Sequence, residues 1–304
     1  MSKVKTLIVI VGPTAIGKTA LSISLAQRFN TEIISADSRQ FFREMNIGTA
    51  KPSIEELTQA PHHFINSHSI ITLFSTGDFE IEALKKLEEV FNVHDVAIMV
   101  GGSGMYINAL CNGLDELPPT NLAIREELNE LFLKEGLEPI KLQLEEVDPE
   151  YFIKVDQFNP QRMIRGLEFY LSTETKLSSF LTHSKKVRPF NILKIGLNTD
   201  RQQLYDRINH RVDLMMEAGL LLEVESLTPF KHLNALNTVG YSELFNFLEQ
   251  QLTLEEAVSL IKQNTRRFAK RQLTWFGKDK EIKWFEPLQM DEINQYIDVN
   301  LAKS

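Results

Sequence analysis

The sequence predicts an α/β fold, a parallel-sheet core with a helical insertion domain, and three observations carry that expectation. The apolar run Leu7-Ile8-Val9-Ile10-Val11 passes through a glycine-containing turn into a helical pattern, Leu21, Leu25, Ala26 and Phe29. Strand-like and helix-like segments then alternate to about residue 112, and strand-like Ile192-Leu193-Lys194-Ile195-Gly196-Leu197 resumes the pattern later. From Leu117-Pro118-Pro119-Thr120 to about Pro189 only helix-type periodicity is found, as in Ile124, Leu128, Leu131, Phe132, Met163, Leu167 and Tyr170. The expected organisation is a core made of residues 1–115 and 190–304, ending in helices, and an insertion over residues 116–189.

The first turn defines the kind of core. Gly12-Pro13-Thr14-Ala15-Ile16-Gly17-Lys18-Thr19 has P-loop spacing and sits between a strand and a helix, which makes the core P-loop NTPase-like. Glycines let the backbone N–H groups turn inward around phosphate oxygens, the helix N-terminus adds its dipole, and Lys18 adds a mobile charge. The Thr19 hydroxyl is placed to hold Mg²⁺, the one cofactor expected.

The second strand, within Thr31-Glu32-Ile33-Ile34-Ser35-Ala36-Asp37-Ser38, ends on a carboxylate at the sheet edge where ligands bind. A Walker NTPase keeps an acid at the end of a further apolar strand to organise its Mg²⁺. Here Val96-Ala97-Ile98-Met99-Val100 runs directly into Gly101-Gly102-Ser103-Gly104 with no acid. Asp37 is then a displaced metal-shell acid or a general base, with an N-cap of a helix starting near Ser38 as the structural alternative. After the insertion, Asp200 reads as the N-cap of a helix carrying Leu204, Ile208 and Met215 and ending near Gly219. Arg207 and Arg211 lie four apart on one face of it.

Charge distribution says more than total charge. The net charge of −8 disfavours nucleic acid at first sight, yet Lys262, Arg266 and Lys270 form one helical stripe, with Ile261, Phe268 and Trp275 on another face. Arg162, Arg165, Lys176, Lys185, Lys186 and Arg188 form a second basic cluster. His62, His63 and His68 lack the cysteines and the helical spacing of a zinc site and read as a loop beside the phosphate site. Cys111, the single cysteine, excludes an internal disulfide and reads as a small core residue. No leader-like segment and no membrane-length apolar run is present, so a cytoplasmic protein without membrane contact is expected.

A series of motifs resembles the tRNA dimethylallyltransferases, also called tRNA isopentenyltransferases. It comprises the residue 12–19 loop, Ala36-Asp37-Ser38-Arg39-Gln40, Asn46-Ile47-Gly48-Thr49-Ala50-Lys51-Pro52, Pro61-His62-His63 and Val100-Gly101-Gly102-Ser103-Gly104-Met105-Tyr106. It continues through Asn159-Pro160-Gln161-Arg162-Met163-Ile164-Arg165-Gly166-Leu167-Glu168, Val239-Gly240-Tyr241 and Arg266-Arg267-Phe268-Ala269-Lys270-Arg271-Gln272-Leu273-Thr274-Trp275-Phe276. The resemblance implies transfer of a dimethylallyl group from dimethylallyl diphosphate to the N6 amine of the adenosine 3′ of the tRNA anticodon. It implies Asp37, Ser103 and Lys18 as catalytic residues, and diphosphate contacts from the residue 12–19 loop with Arg207 or Arg211. The implied tRNA contacts are Asp37, Ser38, Arg39, Gln40, Ser103, Arg125, Gln161, Arg162, Met163, Ile164 and Arg165, acting on an anticodon stem-loop; a monomer is expected.

Two positions depart from the family. Ser103 stands where threonine is usual and Phe42 where tyrosine is common. The zinc finger of eukaryotic members has no counterpart after Trp284, so a bacterial-type member is expected. Two rivals share the P-loop, a small-molecule kinase and an adenylate isopentenyltransferase. The missing later acid counts against the first, and the insertion with its basic helix counts against the second.

Overall fold

A computed structural model describes residues 4–182 and 184–302. The chain forms two compact units, Met1–Cys111 with Val187–Ser304, and Asn112–Lys186.

The first unit is built on a six-stranded, wholly parallel sheet. Its strands are β1 Thr6–Val11, β2 Ile33–Ser35, β3 His62–His63, β4 Val96–Val100, β5 Asn191–Leu197 and β6 Lys283–Phe285, in the order β3-β2-β4-β1-β5-β6. Parallel strands are covered on both faces, which is why β1 is an unbroken apolar run with Leu7 to Val11 all buried. One face packs Leu7, Val9 and Val11 with Phe41, Phe79 and Leu87, and the other packs Ile8 and Ile10 with Leu25, Ile195 and Ile208.

The helices of this unit are α1 Lys18–Phe29, α2 Ile54–Gln59, α3 Thr76–Val93 and α4 Gly104–Asn112, whose last residue begins the other unit. After the second unit, which contributes α5 to α8 between Leu122 and Thr173, follow α9 Arg201–Glu217, α10 Leu220–Ser226, α11 Tyr241–Leu248, α12 Leu254–Phe276 and α13 Met290–Leu301. The predicted cap is present: Asp200 Oδ1 accepts from the backbone N–H groups of Gln202 and Gln203 at 2.8 and 3.2 Å. The sheet edges differ from expectation, since His62-His63 is a short strand beside β2 rather than loop, and β6 pairs with β5.

Strand register brings the loops to one level. Ser35 stands opposite Val100, and Val100 opposite Ile10, so the carboxyl ends of β2, β4 and β1 leave the sheet side by side.

The second unit consists of α5 Leu122–Glu135, α6 Glu138–Val147, α7 Pro149–Lys154 and α8 Pro160–Thr173, with no strand among the described residues. Leu128, Ile140, Leu144, Met163, Ile164 and Leu167 form its core. Asp148, fully buried, ties two segments by accepting from Tyr151 N at 3.1 Å, Ser178 N at 2.9 Å and Ser178 Oγ at 2.6 Å. The ends of the unit meet where Lys186 N donates to Asn112 O at 2.7 Å, the arrangement that lets an insertion leave and rejoin a core without distorting it.

Candidate active site

The site is assembled where β1, β2 and β4 end. Gly12 leaves β1 at φ 145°, and a Cβ there would meet Leu197 O at 2.5 Å, so only glycine opens the loop. Gly17, at φ 104°, caps α1. The Lys18 ammonium donates to Gly12 O and Pro13 O at 2.9 and 2.7 Å, bracing the loop from within. Burial lowers the Lys18 pKa to about 8, although the Asp37 carboxylate pulls it upward.

Asp37 follows β2 in a turn. Its Oδ1 accepts from Arg39 N at 3.1 Å, and no helix starts at Ser38, which removes the helix-cap alternative. The third loop, after β4, is held to this turn by Ser103. Its Oγ accepts from Ser38 N at 3.0 Å and donates to Ser38 Oγ at 3.1 Å. Gly101 is in contact with the same turn, since a Cβ there would lie 2.2 Å from Ala36 O.

Two cavities meet at these loops. One, of about 420 Å³, is walled by the residue 14–19 loop, Asp37, Lys51, His62 and Gln272. The other, of about 240 Å³, is lined by the polar Asp37, Ser38, Arg39 and Ser103 and by the apolar Met215, Leu220 and Ile261. Thr14, Asp37, Arg211 and Phe268 line both, so the carboxylate stands at the seam between a phosphate cradle and a second chamber.

The two arginines of α9 separate here. Arg211 Nη1 lies 3.4 Å from Thr14 Oγ1 and lines both cavities, whereas Arg207 reaches only the Ile16 carbonyl at 3.5 Å and lines neither. Gln40 closes another wall by donating to Thr49 O and Ala50 O, each at 3.2 Å. The Arg39 guanidinium donates to Asn237 O at 3.3 Å.

Among the described residues no group of three or more His, Cys, Asp or Glu side chains is placed to hold a metal. Mg²⁺ fits the donor set in another way. It commonly takes one or two protein oxygens and completes its shell from phosphates and water, and Thr19 and Asp37 line the same cavity.

Several residues expected to face a nucleic acid do not. Met163 and Ile164 are buried in the core of the second unit, so of residues 161–165 Gln161 and Arg162 are exposed and Arg165 is so in part. Arg165 lies 3.4 Å and Arg125 3.7 Å from the buried Glu168 carboxylate, which orients both. Arg188 belongs to no surface cluster: it is an interior cation of the first unit, 2.7 Å from Glu80 and donating to the Leu110 and Ala109 carbonyls. On α12, Lys262 pairs with Asp213 and Arg266 donates to Asn209 at 2.6 Å, while Arg267, Lys270 and Arg271 stay exposed. Phe268 faces the cavities rather than the core. Cys111 is buried, and burial pushes its thiol up to about 12.

Two contributors escaped the sequence reading. Glu223 accepts from three backbone N–H groups of the residue 46–48 segment, and Gln272 reaches the P-loop from α12. Gln272 lies inside the residue 266–276 motif, but nothing in its spacing marks it out from its neighbours.

A P-loop closing the central strand, opposed by a carboxylate on the next-but-one strand and by no acid after β4, defines a P-loop α/β enzyme of the transferase class. The chain belongs to the IPP transferase family, whose model matches residues 40–279. It is similar to the tRNA dimethylallyltransferase of Christiangramia forsetii, at 56% identity over 92% of this chain and 93% of that protein. It is similar also to the tRNA dimethylallyltransferase of Flavobacterium johnsoniae, at 51% identity over 99% of each. Of solved structures, the full-length tRNA isopentenylpyrophosphate transferase of Bacillus halodurans is 36% identical, covering 98% of this chain and 97% of its own, with TM-score 0.72. A eukaryotic dimethylallyltransferase acting on tRNA is 27% identical, covering 94% and 75%, with TM-score 0.79.

Proposed function

We propose that this protein moves the dimethylallyl group of dimethylallyl diphosphate to the exocyclic N6 amine of the adenosine 3′ of a tRNA anticodon, in the cytoplasm. The observation that carries the reading is the place of Asp37, at the seam of two cavities with the P-loop on one side and Ser103 on the other.

The diphosphate sits on the P-loop amides, with Lys18 and Arg211 as counter-charges, and its five-carbon tail lies toward Met215 and Phe268. The adenine enters from the Ser103 side, which requires the base to leave its stack. As the allylic carbon–oxygen bond breaks, charge develops on the departing oxygens, where buried cations stabilise it far more than water would. The N6 nitrogen forms the new bond to carbon, its proton passes to Asp37, and inorganic diphosphate leaves. An adenine amine is a weak nucleophile, so a carboxylate that orients it and takes its proton removes two obstacles together. Thr19 would hold Mg²⁺, which would supply further neutralisation of the diphosphate charge.

Arg162 and Gln161 on α8, and Lys270 and Arg271 on α12, supply exposed groups for an RNA backbone in an otherwise acidic protein. The test is transfer of a radiolabelled prenyl group to an anticodon stem-loop, AMP and ATP in parallel. Label on the stem-loop alone is expected. Label on AMP would mean a free-nucleotide acceptor, and ATP consumption without prenyl transfer would mean a kinase.

A further inference from the structure

Gln272 connects parts of the molecule that the proposed reaction has to hold at one separation. Its Oε1 accepts from the P-loop amide of Thr14 at 2.9 Å, and its Nε2 donates to Gly102 O, also at 2.9 Å. The side chain is 6% exposed, so both ends of the amide are engaged inside the fold. The glycine turn is shaped to receive it. A Cβ on Gly102 would lie 2.2 Å from Gln272 Nε2, and a Cβ on Gly104 would lie 2.2 Å from Trp275 Nε1. Residues 272 and 275, three apart and so on one face of α12, thus seat against two glycines two apart in the turn.

The linkage continues beyond the turn. Ser103 follows Gly102, its hydroxyl accepts from Ser38 N and donates to Ser38 Oγ, and Ser38 adjoins Asp37. A continuous path therefore runs from Thr14 on the diphosphate side, through Gln272, Gly102 and Ser103, to the turn that carries the carboxylate. Among the described residues, Gln272 is the α12 side chain hydrogen-bonded to both the P-loop and the glycine turn.

We propose that Gln272 is a positioning residue that fixes the distance between the phosphate cradle and the Ser103–Asp37 side of the site, where the amine is received. The proposal rests on the prenyl-transfer reading. Bond formation demands that the allylic carbon and the amine approach within near-attack distance, and a misplacement on the order of 1 Å costs about 10²-fold in rate. An amide whose two ends bind two loops sets that distance through the loops it joins.

Gln272→Met keeps the volume and removes both hydrogen bonds. Single-turnover transfer from pre-bound dimethylallyl diphosphate to the stem-loop is expected to slow by about 10- to 100-fold. Donor dissociation constant, stem-loop affinity and unfolding midpoint should stay close to those of the parent protein. Gly102→Ala, which drives the amide out of its seat, should reproduce the slow step, and Gln272→Ala should relieve part of that loss by making room for the new methyl. Three results would overturn the proposal: an unchanged rate in Gln272→Met; tighter donor binding, which would make the glutamine a placeholder on the Thr14 amide; or weaker donor binding at full rate, which would make it a ligand contact. Should the parent protein itself transfer no prenyl group, it is the functional reading that fails and not the role of Gln272 within it.

Discussion

The Tyr241 hydroxyl donates to the Glu223 carboxylate at 2.6 Å, and together these side chains anchor a wall of the P-loop cavity. Glu223 also accepts from the N–H groups of Asn46, Ile47 and Gly48 at 3.1, 2.7 and 3.1 Å. The Tyr241 ring takes the space beside Gly48, where a Cβ would lie 2.5 Å away. Burial first, and then the adjoining carboxylate, drive the phenol far above its ordinary pKa, so it remains a donor throughout the working range. Glu223→Ala should lower stability by about 2–4 kcal/mol, and Tyr241→Phe by about 1 kcal/mol, in urea titrations. The first should also raise the KM for the donor, because Ile47, Thr49, Ala50 and Lys51 line the cavity.

Asp37→Asn leaves an oxygen to accept from Arg39 N, so the turn should survive while the proton acceptor is lost. Transfer is expected to fall by about 10²- to 10⁴-fold, with stem-loop affinity within a few-fold of the parent. Single-turnover rates and a binding titration on the same variant check both parts.

Donor binding should depend on pH through Lys18. Burial lowers its pKa to about 8, and only the protonated form offers a charge to the diphosphate. Affinity is therefore full below that value and declines as pH rises through it, by at most about tenfold per unit. Lys51 lines the same cavity and is likewise lowered to about 8, chiefly by burial. Calorimetric titration from neutral to alkaline pH distinguishes them, since the slope should persist in Lys51→Met and vanish in Lys18→Met.

Arg211→Ala should weaken dimethylallyl diphosphate binding by at least about tenfold, the scale of one charge-assisted contact, while Arg207→Ala should change it little. Equal effects of the two substitutions, measured by equilibrium titration, would remove the distinction drawn from their different distances to the loop.

For the RNA contacts, Arg162→Gln should weaken stem-loop binding and reduce the salt slope by roughly one counterion, as a lost phosphate contact does. Arg165→Gln should instead act on stability, because its partner Glu168 is buried and would lose one of its two arginines. A salt series and a thermal melt on each variant separate these effects.

What the sequence disclosed and what it concealed follow from the range of the interactions. The P-loop, the Asp37 turn and the Gly101–Gly104 turn were legible because each is a strand with a short loop, and a parallel sheet places all such loops at one edge. The edge strands His62–His63 and Lys283–Phe285 are too short to show a period. Exposure along α8 was misjudged because a motif read as a run of letters hides helical geometry, which turns Met163 and Ile164 inward beside outward Arg162. Arg188 looked like part of a basic surface until its partner Glu80, far away in sequence, came into contact. Gln272 was unreadable for the same reason: one glutamine in a basic helix carries no local sign of a bond to Thr14.

That bond spans 258 positions. A ribosome delivers the P-loop first and its α12 partner later, with the whole of the second unit emerging in between. Until then Gln272 cannot bridge the Thr14 amide and the glycine turn, and a contact of such sequence separation forms only against the entropy of closing a long loop. The brace between cradle and carboxylate turn is therefore complete only once α12 has emerged, and this helix decides when synthesis becomes activity.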